Sequence, residues 1–510
     1  MTTSLLSPRS LVAPPPPAPR PRFLSEADCH EIAHRVTRAA RGGGETTVHI
    51  VSAWVGSVRW ARNRITAVGE DRDAKIEIWR ILQGAPGVVS CNATTDDALA
   101  TAVRQAERVA QFSREEVEAD LTTRPGSPFR PQDEPAAIPN LFSAATYTLD
   151  AEHQAAAARQ LMQSATAAGM LSAGYAEVSA VSFAYLTSWG YARYFQYTWA
   201  QCSMTVRDPT GVGSGWAGVD WPDWSRIDGD KLSAIALDKC VKSRNPVAVE
   251  PGRYTTILEP QAVCDFVGQM MFNDGIGRGG NETSGGTPFH KSGRQEPPNI
   301  PPGTLGLSRL GEQVIDERLT ISADPLDPEL GFPPYDKLQS PLGGAYWDIY
   351  HPATWIEQGV LKSLSYDRDY AAQLLGRNTG LPNSGAFRMS VSGATTSVEE
   401  MIATTKRGIL VTRFDQVQGP QGSALVCRGY TRDGLWFIEN GKLSKPISNM
   451  LFVESILFAL NNVEQAGDPQ RVFHPLPGGT FFAFWANPQP VIVPPLKIKD
   501  FSFVALSDAI

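Results

Sequence analysis

A chain of 510 residues is too long for one ordinary core and, at roughly 150 residues per domain, predicts two to four domains. A composition 42% hydrophobic and 19% charged is that of a soluble globular protein, and 45 Gly with 39 Pro predict many turns, strands and some long loops. A net charge of -7 without a long basic run excludes the electrostatic footprint of a nucleic-acid binder, and no apolar run approaches the roughly 18 residues needed to span a bilayer.

Residues 1–23 include MTTSLLSPRSLVAPPPPAPRPRF, with neither an apolar h-region nor a small-residue cleavage site, so they read as a disordered Pro-rich tail and not as a signal peptide. Six cysteines (Cys29, Cys91, Cys202, Cys240, Cys264 and Cys427) stand singly without a Cys-x-x-Cys pair. That usage fits reduced thiols, and the expected compartment is the cytoplasm.

A capping-box pattern at Ser25 to Asp28 opens a helix predicted to about Ala40. It contains His30-Glu31-Ile32-Ala33-His34, which by its letters is a zinc-peptidase motif: two imidazoles on one helical face with a Glu placed to activate a metal-bound water. Against this, the apolar stripe is Cys29, Ile32, Ala33, Val36 and Ala40, which leaves the histidines on the polar flank, and no third ligand is offered nearby. Strand-like runs Thr46 to Ala53, Val55 to Ala61, Lys75 to Leu82 and Val88 to Cys91 follow, broken by Gly56 and Asn63-Arg64, and then a helix from Asp96 to Phe112.

The same order then recurs. After a Pro-rich linker at about 124–139 come a helix near Asp150 to Ala168, strands Gly174 to Val181, Phe183 to Trp189 and Tyr191 to Val206, a Gly-rich turn Gly211 to Gly218, and a helix from Gly229 to Ser243. Two similar helix and antiparallel-sheet units are the inference. The aromatic run 183–199 reads as sheet packing, with a peptide-binding surface as the competing reading.

Beyond Asn245-Pro246, a short strand Tyr254 to Leu258 meets Glu259-Pro260 and passes into a helix whose Val263, Phe266, Val267, Met270 and Met271 form one apolar face. Its other flank carries Cys264, Asp265 and Gln269. Residues 275–303 are dense in Gly and Pro, and Gly275 to Gly280 resembles a phosphate loop only by letter, because it follows a helix where that loop must follow a strand. His290 stands alone there. Strands at Arg318 to Ser322, Thr354 to Ile356, Val360 to Leu364, Gly408 to Gln416, Ala424 to Tyr430 and Leu435 to Glu439, a short helix capped by Ser397, a helix from Met450 to Asn462 and strands at Thr480 to Trp485 and Leu496 to Val504 complete the reading. The fold class is α+β: residues 24–245 as two similar units, then a β-rich domain with packed helices over 246–510.

The order of GRYTTILEP, LGEQVIDERLTI, WIEQGVLKSL, SVEEMIATTKRGILV and FIENGKLSKPI resembles the TldD/PmbA family, the "modulator of DNA gyrase" peptidase family, from about Leu24 onward. In that family TldD-type members carry a zinc-binding His-Glu-x-x-x-His on the helix after the strand, and PmbA-type members, also called TldE, do not. Here Cys264 stands at the first His, Asp265 at the Glu and Gln269 at the second His, while Val267-Gly268 and Asp274 keep the frame. Cys264 is a possible thiolate donor, Gln269 is a poor zinc ligand, and Asp265 is one methylene shorter than the Glu base. The Cys that TldD members supply near the C-terminus has no counterpart after Cys427, and His474, the only donor type in that region, has flanking residues that do not match.

The resemblance therefore implies a catalytically silent subunit with no cofactor of its own. It implies a heterodimer with a TldD-like peptidase subunit that carries the zinc, acting on unfolded or leader peptides, while the charge and hydropathy of the chain predict no nucleic-acid or membrane partner. Two other readings stay open: a self-sufficient zinc peptidase using His30, Glu31 and His34, and a homodimeric peptide-binding protein. A hydrolase with Cys264 as nucleophile lacks a histidine close in sequence.

Overall fold

The computed structural model describes residues 22–119, 139–272, 309–335, 349–365, 381–421, 424–474 and 487–507. The Gly/Pro-rich stretch 275–303 with His290, most of the 124–139 linker, Asp274 and the strand expected at Thr480 to Trp485 lie outside these residues, as do residues 1–21 of the tail.

The first half of the N-terminal region runs α1 (Glu26–Ala39), β1 (Glu45–Ala61), β2 (Arg64–Leu82), β3 (Ala85–Cys91) and α2 (Asp96–Ala119). The second runs α3 (Ala144–Tyr147), α4 (Ala151–Ala167), β4 (Leu171–Thr187), β5 (Ala192–Arg207), β6 (Ser214–Trp221) and α5 (Gly229–Lys242). All six strands join one antiparallel sheet in the order β3-β2-β1-β4-β5-β6. The two similar units are thus halves of one sheet, fused where β1 meets β4. The Ser25 capping box forms, with the Ser25 hydroxyl accepting from Asp28 N and the Asp28 carboxylate accepting from Ser25 N.

Alternation along β1 explains its two buried faces. Val48 and Ile50 pack with Cys29, Ile32 and Val36 of α1 and with α2, and Val58 and Trp60 pack with α4 and α5. On the opposite face Val51, Ala53 and Val55 join Phe183, Tyr185, Phe195, Tyr197, Trp199 and Tyr335 in an aromatic layer. Most of the aromatic run is therefore core.

The C-terminal region continues with β7 (Gly252–Leu258), α6 (Pro260–Phe272), β8 (Leu319–Ala323), β9 (Ala353–Glu357), β10 (Val360–Leu361), β11 (Phe387–Val391), α7 (Val398–Ala403), β12 (Arg407–Gln421), β13 (Val426–Glu439), β14 (Lys442–Pro446), β15 (Met450–Ser455), α8 (Ile456–Asn461), β16 (Val463–Ala466), β17 (Gln470–Val472), β18 (Val491–Val493) and β19 (Leu496–Leu506). One sheet has the order β10-β9-β8-β11-β18-β17, and the other β12-β7-β19-β15-β13-β14. Because β12 also pairs with β13, the strands β12, β7, β19, β15 and β13 form a closed circuit, to which β14 adds beside β13 and β16 beside β19. Residues of both sheets and α6 share the largest core.

Several elements differ from the sequence reading. Gly56 does not break β1; its missing Cβ admits the Trp54 ring and the Gln154 amide. Gly215 and Gly218, read as part of a turn, lie in β6. The span Met450 to Asn462, read as one helix, begins as β15, with Met450, Phe452 and Glu454 buried in alternation, and turns helical only at Ile456, capped by Ser455.

Candidate functional site

Helix α6 is largely enclosed by the C-terminal core. Val263, Phe266, Val267, Met270 and Met271 are buried as their spacing predicts, but Ala262 and Cys264 are buried too. Gln261, Asp265 and Gln269 form a less buried stripe, at positions i, i+4 and i+8. Cys264, expected on the polar flank, instead faces the core at 1% exposure. It lies about 100° around the helix from Asp265, too far to share that stripe.

The stripe is hydrogen-bonded along its length. Asp265 Oδ1 accepts from Gln261 Nε2 at 2.9 Å, and Oδ2 accepts from the Phe414 N–H of β12 at 2.9 Å. Gln269 Nε2 donates to the Asp265 carbonyl at 3.2 Å. Gln261 also brackets the strand end after β17: its Nε2 donates to Phe473 O at 3.0 Å, and its Oε1 accepts from Phe473 N at 3.2 Å. Sequence reasoning missed Gln261, although its spacing of four from Asp265 carried the signal.

This bracket carries His474 to the α6 neighbourhood. The His474 N–H donates to Asp220 Oδ2 at 3.1 Å. Asp220, at the end of β6, is fully buried and pairs with Arg471, whose Nη2 reaches Oδ1 at 2.8 Å and whose Nε donates to the Asp220 carbonyl at 2.7 Å. The guanidinium lies 4.1 Å from the Trp221 ring centroid, and its Nη1 donates to Glu329 O at 2.5 Å. Nothing in the sequence signals the Asp220–Arg471 pair, because its partners are 251 residues apart.

Burial dominates the electrostatics. It pushes the Asp265 carboxyl up to about 6, against the pull of Arg413 and the two hydrogen bonds. It pushes the Cys264 thiol well above its usual range, with the Asp265 and Asp220 carboxylates adding to the effect. The His474 imidazole is pushed down to about 4, also by burial.

A catalytic zinc site requires thiolate, neutral imidazole or carboxylate donors that converge on the metal and leave one position open. The α6 residues do not fit that requirement. The thiol of Cys264 resists ionisation and turns into the core, Gln269 offers an amide, and Asp265 is held by Gln261 and Phe414. Among the described residues no group of three or more His, Cys, Asp or Glu side chains gathers to hold a metal ion. His30, Glu31 and His34 remain on the outer flank of α1, with Glu31 and His34 exposed and the two imidazole centroids 6.5 Å apart. Glu31 lies 3.9 Å from Arg35. All six cysteines are free thiols, and no helix among the described residues is long and apolar enough to cross a membrane.

Known proteins with this architecture have related names. The fold matches the crystal structure of TldE from Thermococcus kodakarensis with a TM-score of 0.69 at 14% identity, over 93% of this chain and 99% of that one. It matches a putative modulator of a DNA gyrase from Thermotoga maritima with a TM-score of 0.66 at 15% identity, over 93% and 100% of the two chains. A putative modulator of DNA gyrase from Bacteroides thetaiotaomicron gives 0.66 at 16% identity, over 94% and 100%. A search of the curated proteins finds no match. The family model described as PmbA/TldA metallopeptidase C-terminal domain matches residues 251–505, a span that begins just before β7 and contains α6. With that match over half of its length and the shared fold, the chain belongs to the TldD/PmbA metallopeptidase family.

Proposed function

We propose that this chain is a non-catalytic, PmbA/TldE-like subunit of a TldD/TldE-type zinc metallopeptidase complex. It works in the cytoplasm, and the zinc belongs to a TldD-like partner subunit. The observation that supports this best is the bonding of the α6 stripe. The position at which the family's catalytic members carry a general base holds Asp265, whose two oxygens accept from Gln261 and from the Phe414 main chain. A carboxylate so held joins a helix to a strand and is poorly placed to take a proton from water. In this reading the chain shapes the peptide chamber and holds an unfolded or leader peptide in extended form, while the partner cleaves it.

The test is a peptide-cleavage assay on this chain alone, on the TldD-like partner alone and on their mixture, with zinc content measured for each. Zinc-dependent cleavage is expected from the mixture and none from this chain alone. Cleavage by this chain alone, or stoichiometric zinc in it that is lost on His34→Ala, would overturn the reading.

A further inference from the structure

Beside the start of α1 the chain borders an aromatic groove. The Arg22 N–H donates to the Tyr147 hydroxyl at 3.3 Å, and its guanidinium stacks 3.5 Å from the Trp54 ring centroid. Phe23 then packs edge-on against Phe142 and Tyr147, with centroids 6.4 and 5.5 Å apart. These three rings, with Tyr194, Phe195 and Pro139, line a groove of about 590 Å³ with Glu26 on its rim.

One wall of the groove is main chain. Strand β5 pairs with β4 along its whole length, but with β6 only from Ala200 onward. At Thr198 the outward N–H is taken by the Leu141 carbonyl at 3.1 Å. Main-chain groups alternate sides along a strand, so those of Gln196 and Tyr194 point to the same side as Thr198, where they have no strand partner among the described residues. An extended guest would meet aromatic faces together with main-chain donors that have no strand partner among the described residues.

We propose that the guest is the chain's own proline-rich segment, residues 12–21 (VAPPPPAPRP), bound in cis. The segment leads directly into Arg22, which the Tyr147 hydroxyl fixes at the rim. Consecutive prolines form an extended left-handed helix of ~3.1 Å per residue that loses little entropy on docking and packs on aromatic rings. Their carbonyls can accept main-chain N–H groups although prolines donate none. Arg20 brings a charge opposite to that of Glu26. Tethering at so short a distance gives an effective concentration on the order of 1 mM, enough to populate a contact too weak for a separate peptide. This inference is independent of the proposed function.

The experiment uses the full chain and a fluorescein-labelled synthetic peptide of residues 11–22. A full chain carrying P14S, P15S, P16S and P17S together is expected to bind the peptide at least ~10-fold more tightly than the unsubstituted chain, whose own segment competes. In that background Phe142→Ala should abolish binding and Glu26→Arg, at an exposed site, should weaken it several-fold, with unfolding midpoints confirming that both variants fold. Equal binding to the two chains, or none to the substituted one, overturns the proposal. So does binding indifferent to both groove variants, and so does a block that fades on dilution, which would assign the guest to a second copy.

Discussion

Asp265 and His474 are partly buried titratable groups whose effects on stability oppose each other. The Asp265 carboxyl is raised to about 6 by burial, so its neutral form suits the folded state; its contribution is full below the unfolded value near 4 and is lost as pH rises through 6. The His474 imidazole is lowered to about 4, so it is neutral in the folded state; its contribution is full above 6.5 and is lost as pH falls through 4. Each window is worth on the order of 3 kcal/mol, and they overlap between roughly pH 4 and 6 with opposite signs. Chemical unfolding at pH 4, 5, 6 and 7 is therefore expected to give a nearly flat profile over that range. Asp265→Asn should leave stability rising with pH, and His474→Gln should leave it falling. Unchanged profiles in both variants would refute this assignment. Most of the α6 residues were legible in the sequence because helical spacing is local: the buried face of Val263, Phe266, Val267, Met270 and Met271 and the positions of Asp265 and Gln269 follow from it, whereas Cys264, read on the polar flank, is buried. The Phe414 and Phe473 main-chain partners were not legible, since the interior of β12 and the residue after β17 supply them from far along the chain.

Two edge strands repeat one packing device. In β3 a Cβ on Gly87 would lie 2.0 Å from Ala106 O and 2.4 Å from Ala110 N of α2. In β6 a Cβ on Gly215 would lie 2.1 Å from Ala236 O and 2.5 Å from Cys240 N of α5. Both neighbours are helix backbone, which cannot rotate aside as a side chain can. Gly87→Ala and Gly215→Ala are each expected to cost about 1–3 kcal/mol by forced separation of helix from strand. Gly69→Ala, with nothing within 4 Å, serves as the neutral control. Urea midpoints that fail to separate the three variants would show that the helices do not press on these strands. These glycines also explain why strands were harder to place than helices. A glycine reads locally as a turn, yet Gly56, Gly215 and Gly218 lie in strands because a tertiary neighbour occupies the space of the absent side chain. In Met450 to Asn462 a strand runs straight into a helix, and one averaged pattern hid the junction at Ser455.

The N-terminal sheet and the C-terminal region are joined through a polar seam. Arg471 binds Asp220 across it, Lys239 pairs with Glu259 at 2.5 Å, and the Trp436 indole N–H donates to Lys242 O at 3.1 Å. Removing one member of a buried ion pair strands the other charge, so Arg471→Ala is expected to destabilise by about 3–5 kcal/mol, with part recovered in Arg471→Met combined with Asp220→Leu. Hydrogen exchange should quicken in β6 and the first turn of α6 and stay unchanged in β1; uniform acceleration would mean that the seam is not a separate unit. The central junction of the sheet is of another kind. There β1 and β4 run antiparallel, each the first strand of its half, from Thr47 opposite Thr187 to Trp60 opposite Gly174. A junction between like strands is the one that two copies of a single half would make with each other about a two-fold axis. The molecule thus has the architecture of a dimer written into one polypeptide, and its halves are free to diverge: the second half can specialise toward the seam, where Asp220 sits, while the first keeps the shared frame.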